Sequence, residues 1–484
     1  MASLPVATLA VVVLGGLTIA GCRVGPDYHT PKTSVPERFA EQALRPSTKS
    51  HRPEPDWWRA LDDSALDRLI AEALEGSPDL MVARARIVEA RAERAAVAGE
   101  ELPQVSATAA YARQHGSANV PTGTPPGGLG RGINSNLWFA GFDASWEVDL
   151  FGGTRRAIES ADAVLGAAVA DRDDAELVLI AEVARDYIEL RTEQRRLAIA
   201  QELLQVRRDQ LALVKAQFDS GLSGALDTAR ARAALAESEA EVPQVEAAEG
   251  AALYRLGMLV GRPPEGLVVA LSSTGPIPNA ESDFPVGLPS DLLRRRPDVR
   301  AAERRIAAAN ARIGMREADL YPHFSLTGVA GFESLYASNL LSGPSRYYAV
   351  GPSITWLVFD AGRIRDEALA ERARTDVAAA EYQKIVLGAL GEVETALVTY
   401  GRSRIQRAAL EREVAAARDA ASLALRLYGA GLEDFLTVLD AERTLHTAEM
   451  SLAGAQQDTA DSFIALIKAL GGDWPGSRAP SPKP

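Results

Sequence analysis

Two kinds of apolar repeat alternate along the chain, and each predicts a different element. From Trp138 to Leu150 every second residue is apolar, while the intervening positions include Asp143 and Glu147. This period of two predicts a β-strand with one apolar and one polar face. Elsewhere apolar residues recur every seven positions, which predicts long helices that supercoil around their neighbours. The first such series is Val183, Leu190, Leu197, Leu204, Leu211 and Phe218.

The second half of the chain repeats the pattern of the first. A helical stretch that opens on Pro-Asp and ends next to another Pro occurs at 78–103 and again at 297–322, at an offset of 219 residues. The motif Phe/Tyr-x-x-Gly-Leu occurs at 218–222 and at 428–432, at an offset of 210. A second heptad series, Val393 to Tyr428, lies at this same offset. One supersecondary unit is therefore predicted to occur twice.

Each copy is predicted to form a helix, two strands and two long helices. The strands are predicted at about 103–113, 137–150, 322–333 and 346–359. The long helices are predicted at about 155–219, 225–258, 362–428 and 434–470. A helix of roughly 65 residues would be ~100 Å long. The stretch 114–136 is rich in Pro and Gly and is predicted to be a loop.

The amino terminus has the pattern of a bacterial lipoprotein signal. Residues 1–21 carry no charge, and Leu9–Ala20 form an apolar run too short to span a membrane. The run ends at Gly21 before Cys22, which resembles a lipobox and predicts that Cys22 becomes an acylated amino terminus. The alternative is a thiol in an ordinary signal peptide. One departure is the absence of Lys and Arg from the first residues, where a signal peptide carries positive charge.

These patterns give five segments. They are a signal peptide (1–21), a first repeat with its anchor (22–260), a linker (261–284), a second repeat (285–472) and a disordered tail (473–484).

Charge and composition exclude several classes of function. The chain has 52 Lys+Arg and 65 Asp+Glu, a net charge of -13, which opposes a nucleic-acid-binding role. Cys22 is the only cysteine, so neither an intrachain disulfide nor a cysteine metal cluster is expected. The five histidines lie far apart, and no Gly-rich phosphate loop follows a strand. We therefore expect no cofactor, no metal and no enzymatic activity.

The predicted strands are about as long as a transmembrane β-strand. Their aromatic residues gather toward the strand ends, as in the girdles at membrane interfaces. A soluble hairpin with one wet face would give the same pattern, and this alternative stays open. If the strands do span a membrane, four cannot close a barrel, and an open edge is excluded in lipid. Closure needs roughly eight strands or more, so an oligomer is predicted, and three copies would supply about twelve.

Four motifs occur in order along the chain. They are Gly21-Cys22-x-Val24-Gly25-Pro26-Asp27-Tyr28 with Pro31; Trp57-Trp58 ahead of Leu66-x-x-Leu69-Ile70; Gly287-Leu288-Pro289-Ser290-x-Leu292-Leu293-x-Arg295-Arg296-Pro297-Asp298-Val299-Arg300-Ala301-Ala302-Glu303; and Tyr428-x-x-Gly431 with Leu436-Thr437-x-Leu439-Asp440-Ala441. Together they resemble the outer-membrane factor family of TolC/OprM-type export ducts, and specifically its NodT-type lipoprotein branch. The resemblance covers about 22–472.

The resemblance implies an α+β membrane protein that forms a homotrimer. Each repeat would give two strands to a trimeric twelve-stranded barrel in the outer membrane and long helices to a periplasmic coiled-coil tunnel. It also implies two partners, a periplasmic adaptor and an inner-membrane pump, often of the resistance-nodulation-division class. Drugs, solvents or metals would leave a Gram-negative cell through this passive duct. Arg23 follows Cys22 where an Asp would signal inner-membrane retention, so the resemblance favours the outer membrane.

The resemblance also assigns a periplasmic gate. Asp440 would form an acidic ring and Leu436 an apolar ring, with Tyr428 in the same motif and Asp227 at the matching helix start of the first copy. Three carboxylates around an axis attract cations and repel one another. The alternative for Asp440 is a solvated residue on a helix face, and Asp227 has the plainer role of a first-turn acid. Thr437 stands where the family's other branch has a second acid.

The two turns between the long helices are the predicted adaptor-docking tips, with Gly221 and Leu222 in one and Gly431 and Leu432 in the other. An ordinary turn is the alternative. The resemblance also implies an equatorial belt that contains the shorter segments, and the pair Trp57-Trp58 is predicted to pack in it. The run Arg294–Arg296 is predicted to form salt bridges near Asp298 and Glu303.

Two other functions fit parts of the sequence. A periplasmic coiled-coil lipoprotein would keep the signal, the heptads and the repeat, but it leaves the membrane-length apolar strand faces unexplained. A lipid-anchored enzyme would need converging catalytic groups, and the sequence offers no such set.

Overall fold

The structure is a computed structural model that describes residues 23–40, 56–115, 134–279 and 289–472. The predicted signal peptide, Cys22 and the predicted tail lie outside these residues. The helices are α1 Ser64–Gly76, α2 Pro78–Gly99, α3 Gly153–Asp219, α4 Ala225–Val260, α5 Pro264–Leu271, α6 Pro289–Arg295, α7 Pro297–Ala318, α8 Arg363–Gly429 and α9 Phe435–Ala469. The strands are β1 Gln104–His115, β2 Asn134–Val148, β3 His323–Ser334 and β4 Arg346–Thr355. Short 3-10 helices occupy Trp57–Leu61, Ala337–Asn339 and Gly343–Ser345.

The described elements follow the predicted order in both copies, with differences at their ends. The predicted loop 114–136 is too long, because His115 still pairs with Asn134 in the β1–β2 ladder. The predicted fourth strand also extends too far. It ends at Thr355 because Thr355 pairs with His323, the first residue of β3, and later residues have no partner in the ladder.

The segment predicted as a linker, 261–284, contains the helix α5. Pro264 stands at its first position, where a proline costs no hydrogen bond. Leu267 and Leu271 of this helix are buried in the main hydrophobic core. Residues 264–271 are therefore part of the folded structure. The sequence did not predict this helix because the Pro and Gly residues around it are typical of a turn.

The four strands form one antiparallel sheet in the order β1-β2-β3-β4. The two hairpins join through β2 and β3, where Gly141 lies opposite Gly331. A Cβ atom on Gly331 would lie 2.6 Å from the Cα of Gly141, so this close backbone approach requires glycine. The junction between the two repeats is thus a continuous ladder.

One face of this sheet is apolar and uncovered by the described chain. The register aligns the even positions of β2, β3 and β4 with the odd positions of β1. On this face Phe142 is 61%, Tyr348 83% and Val350 73% exposed. A soluble sheet would bury such a face against another layer.

The described residues divide into two compact units, and each unit contains parts of both repeats. The first consists of residues up to 31, 88–167 and 303–381, and the second of 32–87, 168–302 and 382 onward. The first unit holds the sheet. In it the indole N–H groups of Trp146 and Trp356 donate to the carbonyl oxygens of Glu101 and Leu320, at 2.9 and 3.1 Å. The two copies therefore fix the helix-to-strand turn in the same way.

The second unit contains the main hydrophobic core. Trp57, Leu66, Tyr187 and Phe463 are among its buried residues, and the rings of Trp57 and Trp58 meet edge to face at 6.0 Å. The predicted packing role of this tryptophan pair agrees with its position. No helix in the described part of the chain is both long enough and apolar enough to cross a membrane.

The arginine run divides among different partners. Arg296 is buried, bonds to Asp298 and Glu392, and donates to the carbonyl oxygen of Ala469 at 3.0 Å. Arg294 and Arg295 lie near Asp291 instead. Glu303 lies in the same helix as Asp298, and its described partners include Tyr28 and Arg304.

Candidate pore mouth

The turns between the long helices have the same geometry in the two copies. Gly221 and Gly431 both have φ of +74°, which favours glycine. The amide of Leu222 donates to the carbonyl oxygen of Gln217 at 2.8 Å, and the amide of Leu432 donates to that of Leu427 at 2.9 Å. These six-residue bonds end each helix in a Schellman motif. Leu222 and Leu432 follow the glycines and are 81% and 72% exposed.

Behind the turns, all four long helices meet in a small apolar cluster, which we call the tip cluster. It contains Val214, Ala231, Ala424, Phe435 and Val438. The helices α3, α4, α8 and α9 each contribute at least one of these side chains. The packing positions the start of α9, which carries the predicted gate residues.

Tyr428 packs at the edge of the tip cluster. Its hydroxyl donates to the side-chain oxygen of Gln217 at 2.6 Å, and its ring lies 5.5 Å from that of Phe435. Burial, followed by the negative charge of Asp227, raises the pKa of Tyr428. These contacts give Tyr428 a role in holding α8 against α3.

Asp227 lies in the first turn of α4. Its carboxylate accepts a hydrogen bond from the Ser223 hydroxyl at 3.2 Å and lies 3.7 Å from the Arg230 guanidinium. Both partners belong to the same turn and helix. The contacts of Asp227 therefore fit the alternative considered above, the role of an acid in the first turn of a helix.

Asp440 lies on the solvent-exposed side of α9, one turn after Leu436. Its carboxylate is 2.6 Å from the guanidinium of Arg443, and both side chains are well exposed. Leu436 is 47% exposed. Asp434 caps the same helix by accepting from the amide of Thr437 at 2.8 Å. The neighbouring arginine makes this acid a weaker cation attractant than a carboxylate without a partner would be.

A buried polar cluster lies just beyond the tip cluster and was not predicted from the sequence. Arg207 of α3 donates to the carboxylate of Glu442 on α9 at 2.7 Å, and Gln210 bonds to the other oxygen of that carboxylate. All three residues are more than nine-tenths buried. We call them the buried Arg–Glu cluster.

The charges in this cluster are strongly affected by burial. Burial raises the pKa of Glu442, and the charge of Arg207 acts in the opposite direction. Burial likewise lowers the pKa of Arg207. Each charge depends on the other, since an unpaired ion in this position would cost several kcal/mol. The pair joins the first helical hairpin to the second, two residues past Asp440.

Further from the turns, α9 contains a half-buried acid with an unmet hydrogen-bonding atom. One oxygen of Asp461 is buried and has no hydrogen-bond partner among the described residues. Burial raises the pKa of Asp461 to about 6, with Arg185 opposing the shift and Asp458 adding to it.

Replacing Asp461 by Asn is expected to stabilise the protein in a pH-dependent way. The raised pKa means that Asp461 favours folding in acid and that this contribution is lost as the pH rises through about 6. The variant should therefore raise the free energy of unfolding by about 2 kcal/mol at pH 8 and by much less near pH 4. Thermal unfolding at both pH values measures this, with the exposed Asp419→Asn as control. An equal shift at both pH values would contradict the assignment.

The described residues contain no group of three or more His, Cys, Asp or Glu side chains arranged to hold a metal ion. His446 instead pairs with Glu241 at 2.9 Å between α9 and α4. His446 and the buried Arg–Glu cluster thus link helices to one another, whereas Asp227 and Asp440 bond to neighbours in their own turn or helix.

Comparison with known proteins gives a family. The profile of the outer membrane efflux protein family matches residues 69–262 and 288–472, one match for each repeat. Nodulation protein T of Rhizobium leguminosarum bv. trifolii is 30% identical over 460 residues, covering 95% of this chain and 96% of the relative. The pyoverdine export outer membrane protein OpmQ of Pseudomonas putida is 35% identical over 430 residues, covering 87% of this chain and 89% of the relative.

The fold has a close structural counterpart. The outer-membrane channel OprN superimposes with a TM-score of 0.86 at 40% identity, covering 94% of this chain and all of that chain. The predicted α+β channel fold and the predicted NodT-type branch are confirmed by these matches. The chain therefore belongs to the outer membrane efflux protein family.

Proposed function

We propose that this chain is the outer-membrane duct of a tripartite efflux system, through which an inner-membrane pump expels small molecules by way of a periplasmic adaptor. The observation that carries the proposal is the apolar face of the four-stranded sheet. Its large side chains are exposed in the single chain, and lipid is the environment in which such a face is stable.

The sheet also has two free edges, β1 and β4, each at the end of the ladder. Free edges are excluded in the apolar part of a membrane, because their backbone groups would lack hydrogen bonds. Three copies joined edge to edge would supply about twelve strands and satisfy every edge. The homotrimer is thus part of the proposal, and the long helices would continue the duct into the periplasm.

The duct acts passively. Selection of drugs, solvents or metals belongs to the pump and the adaptor, and the chain performs no chemical step on them. The gate proposal assigns the constriction to Leu436 and Asp440 of each copy. Their exposure at the start of α9, close to the tips, supports this assignment.

Membrane fractionation tests the proposed function. The full chain should remain in the outer-membrane fraction after a high-salt wash and run on gels as a trimer that dissociates on heating. Deleting it should raise the sensitivity of its host to pump substrates. A chain that stays in the membrane fraction but runs as a monomer without heating would instead support the alternative, a periplasmic coiled-coil lipoprotein.

The lipid anchor is a separate proposal and concerns Cys22, which lies outside the described residues. Cys22→Ser is expected to abolish incorporation of labelled palmitate, because the sequence contains no other cysteine to start the modification. Gel fluorography of the immunoprecipitated chain measures this. Label retained by the serine variant would refute the assignment.

The proposed adaptor contact lies at the two helical tips. Replacing Leu222 and Leu432 together by Asp should reduce cross-linking to the adaptor about ten-fold, since both apolar side chains are exposed and available for burial. Trimers should form normally, because neither leucine is part of the main hydrophobic core or of the tip cluster. The matched control is Leu425→Asp on α8, which is 42% exposed and lies before the turn. Unchanged cross-linking in the double variant would remove the docking proposal.

A further inference from the structure

The residues that follow Cys22 are held in the first unit by one buried arginine. Arg156, in the first turn of α3, is only 1% exposed. Its Nε donates to the carbonyl oxygen of Val24 at 3.1 Å, and its Nη2 donates to that of Gly25 at 3.0 Å. Nη2 also lies 2.9 Å from the Asp27 carboxylate. We call residues 23–28 the amino-terminal strap.

Other groups hold the strap beside Arg156. The amide of Val24 donates to the carbonyl oxygen of Phe151 at 3.1 Å, and Asn310 donates to the carbonyl oxygen of Pro26 at 2.9 Å. Arg23 pairs with Glu159 at 2.5 Å, and Glu159 also accepts from Arg156 at 2.8 Å. The strap is therefore held through backbone groups as well as through the Arg23 and Asp27 side chains, which favours one conformation.

Two glycines allow the strap to lie this close. Gly25 has φ of +83°, and a Cβ there would lie 2.4 Å from the Cα of Gly314. A Cβ on Gly314 would in turn lie 2.9 Å from the Arg156 side chain and 2.8 Å from the carbonyl oxygen of Val24. Contacts under 3 Å cannot be tolerated, so both positions require glycine. This close fit indicates that the surface around Gly314 and Arg156 is shaped to hold the strap.

The first residues of the strap lie beside the ends of the strands. Phe151 lies three residues past β2, and its ring stacks on that of Tyr321 at 4.6 Å, just before β3. Aromatic residues at strand ends commonly lie at the membrane interface. Cys22 is one peptide bond from Arg23, and consecutive Cα atoms are about 3.8 Å apart. An acyl chain on Cys22 would thus start beside the strand ends.

We propose that Arg156 is a positioning residue for the lipid anchor, which fixes the acylated amino terminus to the strand ends so that the anchor and the sheet enter the lipid as one body. The inference rests on the acylation proposed above. A freely tethered anchor raises the local concentration of the sheet at the membrane but leaves its orientation free. A fixed anchor also orients the sheet relative to the membrane. Less conformational freedom is then lost when the sheet inserts.

A double-mutant cycle distinguishes this role from simple structural support. Arg156→Ala and Cys22→Ser should each lower the yield of outer-membrane trimer about ten-fold, and the double variant should lose no more than either alone. A residue that only stabilises the first unit would multiply its loss with that of Cys22→Ser. Multiplied losses would therefore overturn the proposal.

Gly314→Ala is a second variant for the same cycle if Arg156→Ala folds poorly. It leaves Arg156 in place and displaces the strap, and it should also show no added loss with Cys22→Ser. Arg94→Ala is the matched control, because Arg94 forms an exposed ion pair with Asp162 in the same unit. It should retain the wild-type yield of trimer.

The strap itself can be followed without lipid. Trypsin cleaves after Arg23, and this bond should be protected in Cys22→Ser protein because Val24 is hydrogen-bonded on both sides. Mass spectrometry should record cleavage at Arg23 at least about ten-fold faster in Cys22→Ser/Arg156→Ala protein, and unchanged with Arg94→Ala. Arg156→Lys should resemble the alanine variant, since lysine cannot make the forked bonds. Rapid cleavage of the protein that retains Arg156 would refute the strap. Slow cleavage in Cys22→Ser protein, together with no palmitate labelling of the wild-type protein, would refute only the acylation.

Discussion

Glu442→Ala is expected to lower the free energy of unfolding by about 3–5 kcal/mol, because it leaves the buried Arg207 without its partner. Arg207 cannot turn to solvent while α3 and α9 stay packed, since it is only 6% exposed. Thermal unfolding of the detergent-solubilised trimer, followed by circular dichroism, measures the loss.

The chain offers a matched control for this variant. Arg418 and Glu449 form an ion pair of 2.6 Å between α8 and α9, with the arginine 61% exposed. Glu449→Ala should cost less than about 1 kcal/mol, because the exposed Arg418 stays in contact with solvent when its partner is removed. Replacing both Arg207 by Met and Glu442 by Leu should recover most of the stability, since no buried charge remains. A loss in this double variant as large as in Glu442→Ala would contradict the explanation.

Asp440→Ala is expected to increase single-channel conductance and to lower cation preference. The change removes three carboxylates from the proposed constriction and leaves smaller side chains in their place. Arg443→Ala should shift selectivity the other way, because it leaves Asp440 without the guanidinium that lies 2.6 Å away. Planar-bilayer recordings of the purified variants measure both quantities.

Asp419→Ala is the control for the gate. It removes one exposed carboxylate per chain from α8 and should leave conductance and selectivity unchanged. If Asp440→Ala behaves like Asp419→Ala, the gate does not lie at Asp440. A change in conductance with unchanged selectivity would limit the role of Asp440 to its volume.

The long elements could be predicted because their patterns are local. The period-two alternation around Trp138 and the heptads from Val183 are visible in any window of the chain, and the repeat gave a second reading of each. The turns at Gly221 and Gly431 were equally clear, since a positive φ favours glycine. The end of β4 was misplaced because it depends on where its partner β3 begins.

The buried polar contacts could not be predicted, because they join distant parts of the chain. Arg207 and Glu442 are separated by 235 residues. Taken alone, each charged residue in a helical pattern predicts an exposed position on a helix face. The signal available was the place of Arg207 on the inward side of α3, where Gln210 and Val214 follow at helical spacing. Arg156 is similar, since its partners lie about 130 residues away in the strap.

For the proposed gate, the sequence identified the residues but not the charge beside them. The motif identified Asp440 and Leu436, and the structure adds Arg443 as the immediate partner of the acid. Arg443 lies one helical turn away, so the spacing alone could have suggested the pair. Arg443 reduces the negative charge that Asp440 brings to the proposed mouth, and for that reason the selectivity of the two variants is informative.

The most direct test of the central claim is the conductance of the purified wild-type protein in a planar lipid bilayer. A membrane duct predicts discrete, small, cation-preferring steps that occur only with trimeric protein. Insertion of pure trimer with no steps at any voltage, or the absence of insertion altogether, would contradict the claim that this chain forms a channel.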